Sequence, residues 1–392
     1  MTFEEPTRPA PLGPPGPANA ADAADPANPA DAVYAPDPAP SAAAGDRPRL
    51  SPRTISLLAG FAATVTTGAI LFALPVPYIL ETPGPTVDTL GSQDGVELIQ
   101  IEGQPSHEVT GELRLTTVGA FGSDPGDLSV FQLVEGYLDP DDALVPYDLI
   151  YPRDSTSSER EAQSAAEMVT SQDSATAAAL EYLGIRVSML VQERQSGPAE
   201  AAFEPDDELM SIDGQPVIGF AALKRSLAEI AAGTEIAVGI IRDGEEITVD
   251  LVTSADQDGN ALLGVTLRFE FPVTIGFGVE DIGGPSAGSM FALGIIDKLG
   301  PVDLAAGRVI AGTGTVNAEG EIGAIGGIRQ KMIGAKRDGA EIFLAPAANC
   351  AEAAGNEPDG LRVVKVETVD DAVRALDALR AGDDASVPSC SD

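Results

Sequence analysis

The sequence is short of the side chains on which much protein chemistry runs. It has one histidine, His107, two cysteines, Cys350 and Cys390, and no tryptophan. A single histidine rules out a metal site built from several imidazoles and leaves a Ser-His-Asp triad without its ordinary base. His107 itself reads as a solvated loop residue. Lysine and arginine number 23 against 61 acidic residues, a net charge of −38. With no basic stripe to displace counterions from phosphate, nucleic-acid binding is excluded as a function class, and the acidity serves solubility. No G-x-x-x-x-G-K-[ST] run occurs, so the backbone cradle of a nucleotide-triphosphate loop is missing from the sequence. No cofactor and no metal are expected.

What is present is ample: 392 residues, 44% of them hydrophobic, enough for two domains and a tail. Residues 1–53 are rich in Pro, Ala and Asp and cannot build a core, so they are expected to be a disordered tail. Residues 54–78 form an uncharged apolar stretch, long enough from Ile55 to Leu74 to cross a bilayer as a helix and ended by Pro75 and Pro77. A buried core helix or a late signal peptide would have the same composition, but no small-residue cleavage site follows. Arg47, Arg49 and Arg53 precede the stretch, and Glu81 and Asp88 follow it. The charge asymmetry predicts a single-pass protein of the cell membrane, with its N-terminus cytoplasmic and the rest outside. In that compartment Cys350 and Cys390 can pair, pinning a C-terminal tail of residues 381–392, or remain two thiols.

The densest chemistry lies in two segments. Gly284-Pro285-Ser286-Ala287-Gly288 opens a run from Ala287 to Ile296 that is apolar on nearly every face, which predicts a buried helix with Ser286 at its N-terminus. Backbone N–H groups of Ser286 and Ala287 would there face an oxyanion. Gly326-Gly327 leads into a second predicted helix, Ile328 to Arg337, whose inward stripe is Ile328, Met332 and Ala335. Lys331 lies on that stripe, while Arg329, Lys336 and Arg337 can reach water. Burial would lower the lysine pKa and free a neutral amine to act as base.

Taken together, the two segments resemble the Lon protease family, over roughly Phe271 to Leu379. Ile310-Ala311-Gly312-Thr313-Gly314, Gly320, Ile322 and Ala324 to Gly327 are similar to the strand, hairpin and turn that lead to that family's catalytic lysine. The resemblance implies Ser286 as nucleophile, Lys331 as base and Thr313 as the residue holding the pair, and ring-like homo-oligomers. Two departures concern substrate preference: Gly283 stands where many members carry an acid, with Glu280 and Asp281 upstream, and Arg329-Gln330-Lys331 replaces Lys-Glu-Lys.

From Leu183-Gly184-Ile185 through Gly197-Pro198-Ala199, Pro205 to Leu209 and Ser211 to Val217, the chain resembles a bacterial PDZ domain. A helix from Phe220 to about Ala232 and strands Glu235 to Arg242 and Glu246 to Thr253 complete it. Asp206 stands where the family usually has Gly. The resemblance implies a module that captures an extended peptide, with Leu183, Gly184 and Ile185 as the receiving loop; a spacer that binds nothing is the alternative.

Upstream, Val96 to Ile101 and Gly111 to Val118 read as strands and Ser157 to Leu183 as a helix. Leu113-Arg114-Leu115-Thr116-Thr117-Val118 resembles the first strand of a Lon-type domain, so the expected fold class is α/β (α+β): a Lon-type proteolytic domain with a β-rich PDZ module inserted. Residues 84–182 and 256–380 would be the two protease parts, 183–255 the module, and Gly264 to Phe269 the strand at which the protease resumes. The expected function is an ATP-independent Ser/Lys endopeptidase acting on extracytoplasmic or membrane-associated protein substrates. The alternative is a non-catalytic membrane-anchored PDZ scaffold.

Overall fold

A computed structural model describes residues 51–93, 95–107, 109–122, 127–151, 155–279 and 282–391. The tail through residue 50, with Arg47 and Arg49, and also Glu280 and Asp281 lie outside the described residues. The chain begins with helix α1 (Pro52–Phe72), strands β1 (Tyr78–Asp88), β2 (Ile99–Glu102) and β3 (Glu112–Phe121), helix α2 (Val130–Leu138), strand β4 (Ala143–Pro146) and helix α3 (Ser157–Tyr182). Strands β5 (Ser188–Arg194) and β6 (Glu208–Ile212), helix α4 (Phe220–Ala228), and strands β7 (Glu235–Arg242), β8 (Glu245–Val252), β9 (Val265–Glu270) and β10 (Thr274–Phe277) follow. Helix α5 (Gly288–Leu299), strand β11 (Val309–Gly312), helix α6 (Ile328–Arg337), strands β12 (Ile342–Pro346) and β13 (Arg362–Val366), and helix α7 (Val369–Ala381) complete it.

Helix α1 carries no buried residue, and its mean hydropathy of 1.9 over an 18-residue window makes it long and apolar enough to cross a membrane. It starts and ends slightly before the 54–78 read from sequence.

One six-stranded sheet is ordered β13-β12-β11-β3-β1-β4. β1, β3 and β4 precede the PDZ-like segment in sequence, while β11, β12 and β13 follow it, so a single sheet is built from both flanks of that segment. β3, β11, β12 and β13 run parallel, and β1 is antiparallel to both β3 and β4. Side chains alternate between two cores, as the strand period of two requires. Ile310, Ile342, Leu344, Val364 and Val366 face α5, α3 and α7, whereas Ala311, Phe343, Ala345 and Val363 face Ile328, Met332 and Ala335 of α6. Central strands buried on both faces explain why β12 is apolar at every position.

Helix α5 is buried from Gly288 to Lys298, and a 3-10 turn over Pro285–Ala287 precedes it. Helix α6 has the bounds that its periodicity predicts. It lies close on β1: a Cβ on Gly334 would come within 2.6 Å of the Gly84 carbonyl oxygen, so glycine sets the approach.

The second sheet runs β8-β7-β6-β5-β9. The β7–β8 hairpin turns at Asp243 and Gly244, both with positive φ. β9 corrects the sequence reading: it pairs with β5 from Val265↔Arg194 to Glu270↔Ser188 instead of resuming the protease sheet. Its inward side chains Val265, Leu267 and Phe269 pack on the PDZ-like core, which holds the strand there. Asp206, at φ 69, takes the left-handed conformation that glycine adopts more freely, and its carboxylate meets Arg268 of β9 at 2.8 Å. The module is tied to the helices packed on the six-stranded sheet through Glu181 of α3, whose carboxylate accepts the N–H groups of Ala221 (2.9 Å) and Ala222 (2.7 Å) at the start of α4.

Cys350 and Cys390 form a disulfide across 40 positions of sequence. Beside it, Val387 is buried and Ser389 bridges to Val364 of β13. Replacing both cysteines by serine should lower unfolding stability by about 2–4 kcal/mol through the freed unfolded chain. Denaturation of the variant beside the parent protein checks this, and limited proteolysis should newly cut near Val387.

Candidate active site

Ser286 sits half-buried in the turn that enters α5, after Gly284 at φ 83, a conformation open to glycine. Two serines of α3 hold this entry: the Ser171 hydroxyl donates to the Pro285 carbonyl (3.1 Å), and the Gly284 N–H donates to the Ser164 carbonyl (3.3 Å). The Ser286 carbonyl accepts the Thr313 hydroxyl at 3.0 Å and the Gly314 N–H at 2.9 Å. The end of β11 is thereby locked to the serine turn.

Lys331 projects from the first turn of α6 and is 4% exposed. Its Nζ donates to Thr313 Oγ1 at 3.0 Å, so Thr313 stands between the amine and the serine's backbone. Burial pushes the amine down from 10.5 to about 8, against an upward pull from Glu81. Glu81, on β1, is itself raised above the usual carboxylate range, chiefly by burial and then by Glu352, with Lys331 pulling it down. A cleft of about 610 Å³ opens over these groups, lined among others by Glu81, Thr117, Val118, Ser286, Ala287 and Lys331. One wall is therefore β1 and β3, about 170 to 200 positions before the serine in sequence.

In the sequence Glu81 is a charge flanking the apolar stretch. Its place beside Lys331 depends on β1 pairing with β3, which no local signal encodes. Arg329 is half-buried and donates to the Pro140 carbonyl, where the sequence suggested that it could point to water. Gln330 is buried, its amide 3.3 Å from the Asp141 carbonyl, so the residues in place of Lys-Glu-Lys fasten α6 to the segment after α2. His107 is exposed in a loop, its N–H bonded to the Lys298 carbonyl at 2.7 Å.

Leu183, Gly184 and Ile185 form the turn that ends α3: Gly184 has φ 70, and the Ile185 N–H donates to the Leu180 carbonyl at 2.8 Å. They lead into the start of β5. The open edge of the sheet beside α4 belongs to β9, where Phe269 meets Phe220 edge-on at 5.9 Å. The segment entering β9 is Leu262-Leu263-Gly264, at the opposite end of β5 by the pairing register.

Residues 269–378 match the family model of the Lon protease (S16) C-terminal proteolytic domain, and residues 181–253 match that of the PDZ domain. The Lon protease of Azospirillum brasilense is 34% identical over 94 residues, covering 23% of this chain and 11% of that protein. The periplasmic pH-dependent serine endoprotease DegQ of Escherichia coli (strain K12) is 34% identical over 80 residues, 18% of each. The chain thus spans less than a fifth of the length of these curated relatives. A solved PDZ domain of the SdrC-like protein from Listeria monocytogenes aligns at 17% identity and a TM-score of 0.20, covering 20% of this chain and 85% of that one. The chain carries a Lon-type proteolytic domain and a PDZ domain in a mixed α/β fold.

The buried amine has a measurable cost. Below about pH 8 folded and unfolded chains both hold the Lys331 proton, and the burial penalty is fully present. Between about 8 and 10.5 the folded chain has released the proton while the unfolded chain keeps it, so stability rises with pH across that window. Lys331→Met should therefore stabilise the fold at pH 7 by up to roughly 3 kcal/mol, an advantage that vanishes toward pH 10.5. Unfolding curves at the two pH values test it; an equal gain at both would assign the effect to packing.

Proposed function

We propose that the chain is a membrane-anchored serine endopeptidase with a Ser286/Lys331 dyad, acting outside the cytoplasm on protein substrates that its PDZ domain helps to select. The observation that carries the reading is the buried Lys331 amine, lowered to about 8 and bonded to Thr313, in one cleft with Ser286. The Lon-type domain match and the protease relatives support the peptidase class.

In the proposed reaction the neutral Lys331 amine takes the Ser286 proton as Oγ attacks the scissile carbonyl. The backbone N–H groups of Ser286 and Ala287 stabilise the oxyanion, and the lysine returns the proton to the leaving amine. Water, deprotonated by Lys331, then attacks the acyl carbon, and the lysine gives the proton to Ser286 Oγ as the C–Oγ bond breaks and the acid product leaves. Thr313 positions the amine through one hydrogen bond and the serine backbone through another. Glu81 keeps the amine from falling further in pKa, which holds its basicity near the working pH. The sequence carries no phosphate loop, so no ATP-driven step is part of the proposal, and substrates would arrive accessible or unfolded.

The PDZ domain offers the free edge of β9 to an extended peptide, which would add as a further strand beside α4. The receiving loop of the proposal is Leu183-Gly184-Ile185, which leads into the start of β5, the strand that pairs with β9.

Activity should rise with pH through a midpoint near 8 as Lys331 loses its proton. Ser286→Ala and Lys331→Ala should each cost at least about 10³-fold in kcat/KM, and the double variant little more, because the two act as one unit. Lys331→Arg should be equally inactive, since guanidinium cannot accept the proton, and Thr313→Val should lose roughly 10²-fold through mispositioning. Peptide cleavage assays across pH check all four. A folded, active Lys331→Arg protein would overturn the lysine-base mechanism.

For topology, protease added to intact spheroplasts should digest the part after β1 and spare an N-terminal tag. Protection of the C-terminal part would reverse the orientation.

A further inference from the structure

Helix α2 turns its apolar face to solvent. Phe131 is 58% exposed, Val134 40%, Tyr137 79% and Leu138 74%. Phe131, Val134 and Leu138 follow helical spacing i, i+3, i+7 and form one stripe. The opposite face is used: a Cβ on Gly136 would lie 2.3 Å from Leu80 Cδ1, so that side rests flat on β1. Leu149, 76% exposed, lies in the short helix Tyr147–Ile150, whose Tyr147 N–H donates to the Pro77 carbonyl.

This face is tethered to the end of α1. Two residues beyond Phe72, the Leu74 carbonyl accepts the Val130 N–H at 3.1 Å, and the Val76 N–H donates to the Leu128 carbonyl at 2.9 Å. Pro75 and Ser129 form an isolated β-bridge between them. If α1 spans the bilayer, α2 starts where the span leaves it, and insertion of the stripe into the interface is intramolecular. Aromatic residues such as Phe131 and Tyr137, with Leu beside them, have the composition that interfacial helices present to the headgroup boundary.

We propose that the exposed face of α2, with Phe131, Val134, Tyr137 and Leu138, docks into the lipid interface of the membrane that α1 crosses. The proposal rests on the reading of α1 as a span. The flanking charges are acidic, Asp127, Glu135, Asp139, Asp141 and Asp142, so the attraction is apolar and needs no anionic lipid. Because Arg329 and Gln330 of α6 bond to the Pro140 and Asp141 carbonyls just past α2, docking would hold the element that carries Lys331 at a set height above the bilayer.

The absence of tryptophan makes the test direct. Phe131→Trp gives the full-length chain a single indole, to be reconstituted in phosphatidylcholine vesicles with lipids brominated in the upper or the deep acyl chain. The expected result is emission shifted to shorter wavelength and quenched by upper-chain bromine at low and high salt. Adding Val134→Asp and Leu138→Asp should abolish both effects and leave cleavage of a soluble peptide unchanged. A separate Val65→Trp chain, quenched by deep-chain bromine, reports the span. Quenching at position 65 with a water-exposed spectrum at 131 overturns the docking while the span stands. Quenching at neither position overturns both, and quenching at 131 that survives the two aspartates shows that the stripe is not what docks.

Discussion

An ammonium group 4% exposed, with a hydroxyl as its hydrogen-bond partner, is the constraint around which this site is organised. Burial disfavours the charged form, and the cleft is arranged so that the proton is lost near 8 and not far lower. Glu81 opposes the shift from one side, while Thr313 accepts a hydrogen bond that either protonation state of the amine can donate. Removing the charge from Glu81 would let the lysine fall further, and removing the sheet from α6 would return it to water. The position of α6 on β1, set by the close approach of Gly334 to Gly84, therefore sets the burial of the amine as well as the packing.

Thr313 joins the two halves of the site with one oxygen. It donates to the Ser286 carbonyl and accepts from Lys331, so the end of β11 is tied to both the serine turn and α6. The serine turn is in turn held by Ser164 and Ser171 of α3, a helix that ends by capping α4 of the PDZ domain through Glu181. A run of hydrogen bonds thus connects the PDZ domain with the turn bearing Ser286.

Helices with strong periodicity are legible in the sequence. Ile328 to Arg337 has the bounds its stripe of Ile328, Met332 and Ala335 predicts, and the uniformly apolar run after Ser286 is a buried helix. The partner of β9 is not legible there for a physical reason: Val265, Leu267 and Phe269 alternate as any half-buried strand does, and alternation states that one face is buried without stating which sheet buries it. The Leu183-Gly184-Ile185 segment carries a glycine signal that fits a helix C-terminus, and its N–H groups close the end of α3.

Sequence by itself determined the order of the motifs, the inward placement of Lys331 on its helix, the apolar stretch ahead of the folded body, and the scarcity of histidine that turns attention to a lysine base. These are local properties, readable from composition and from periods of two and 3.6. Tertiary structure alone decided that β1 and β3 wall the cleft, that Glu81 faces Lys331, that β9 closes the PDZ sheet, and that the two cysteines meet. Each of those joins residues from 40 to about 250 positions apart, and the pairing energy of such strands and side chains resides in their mutual burial, which no single stretch of sequence contains.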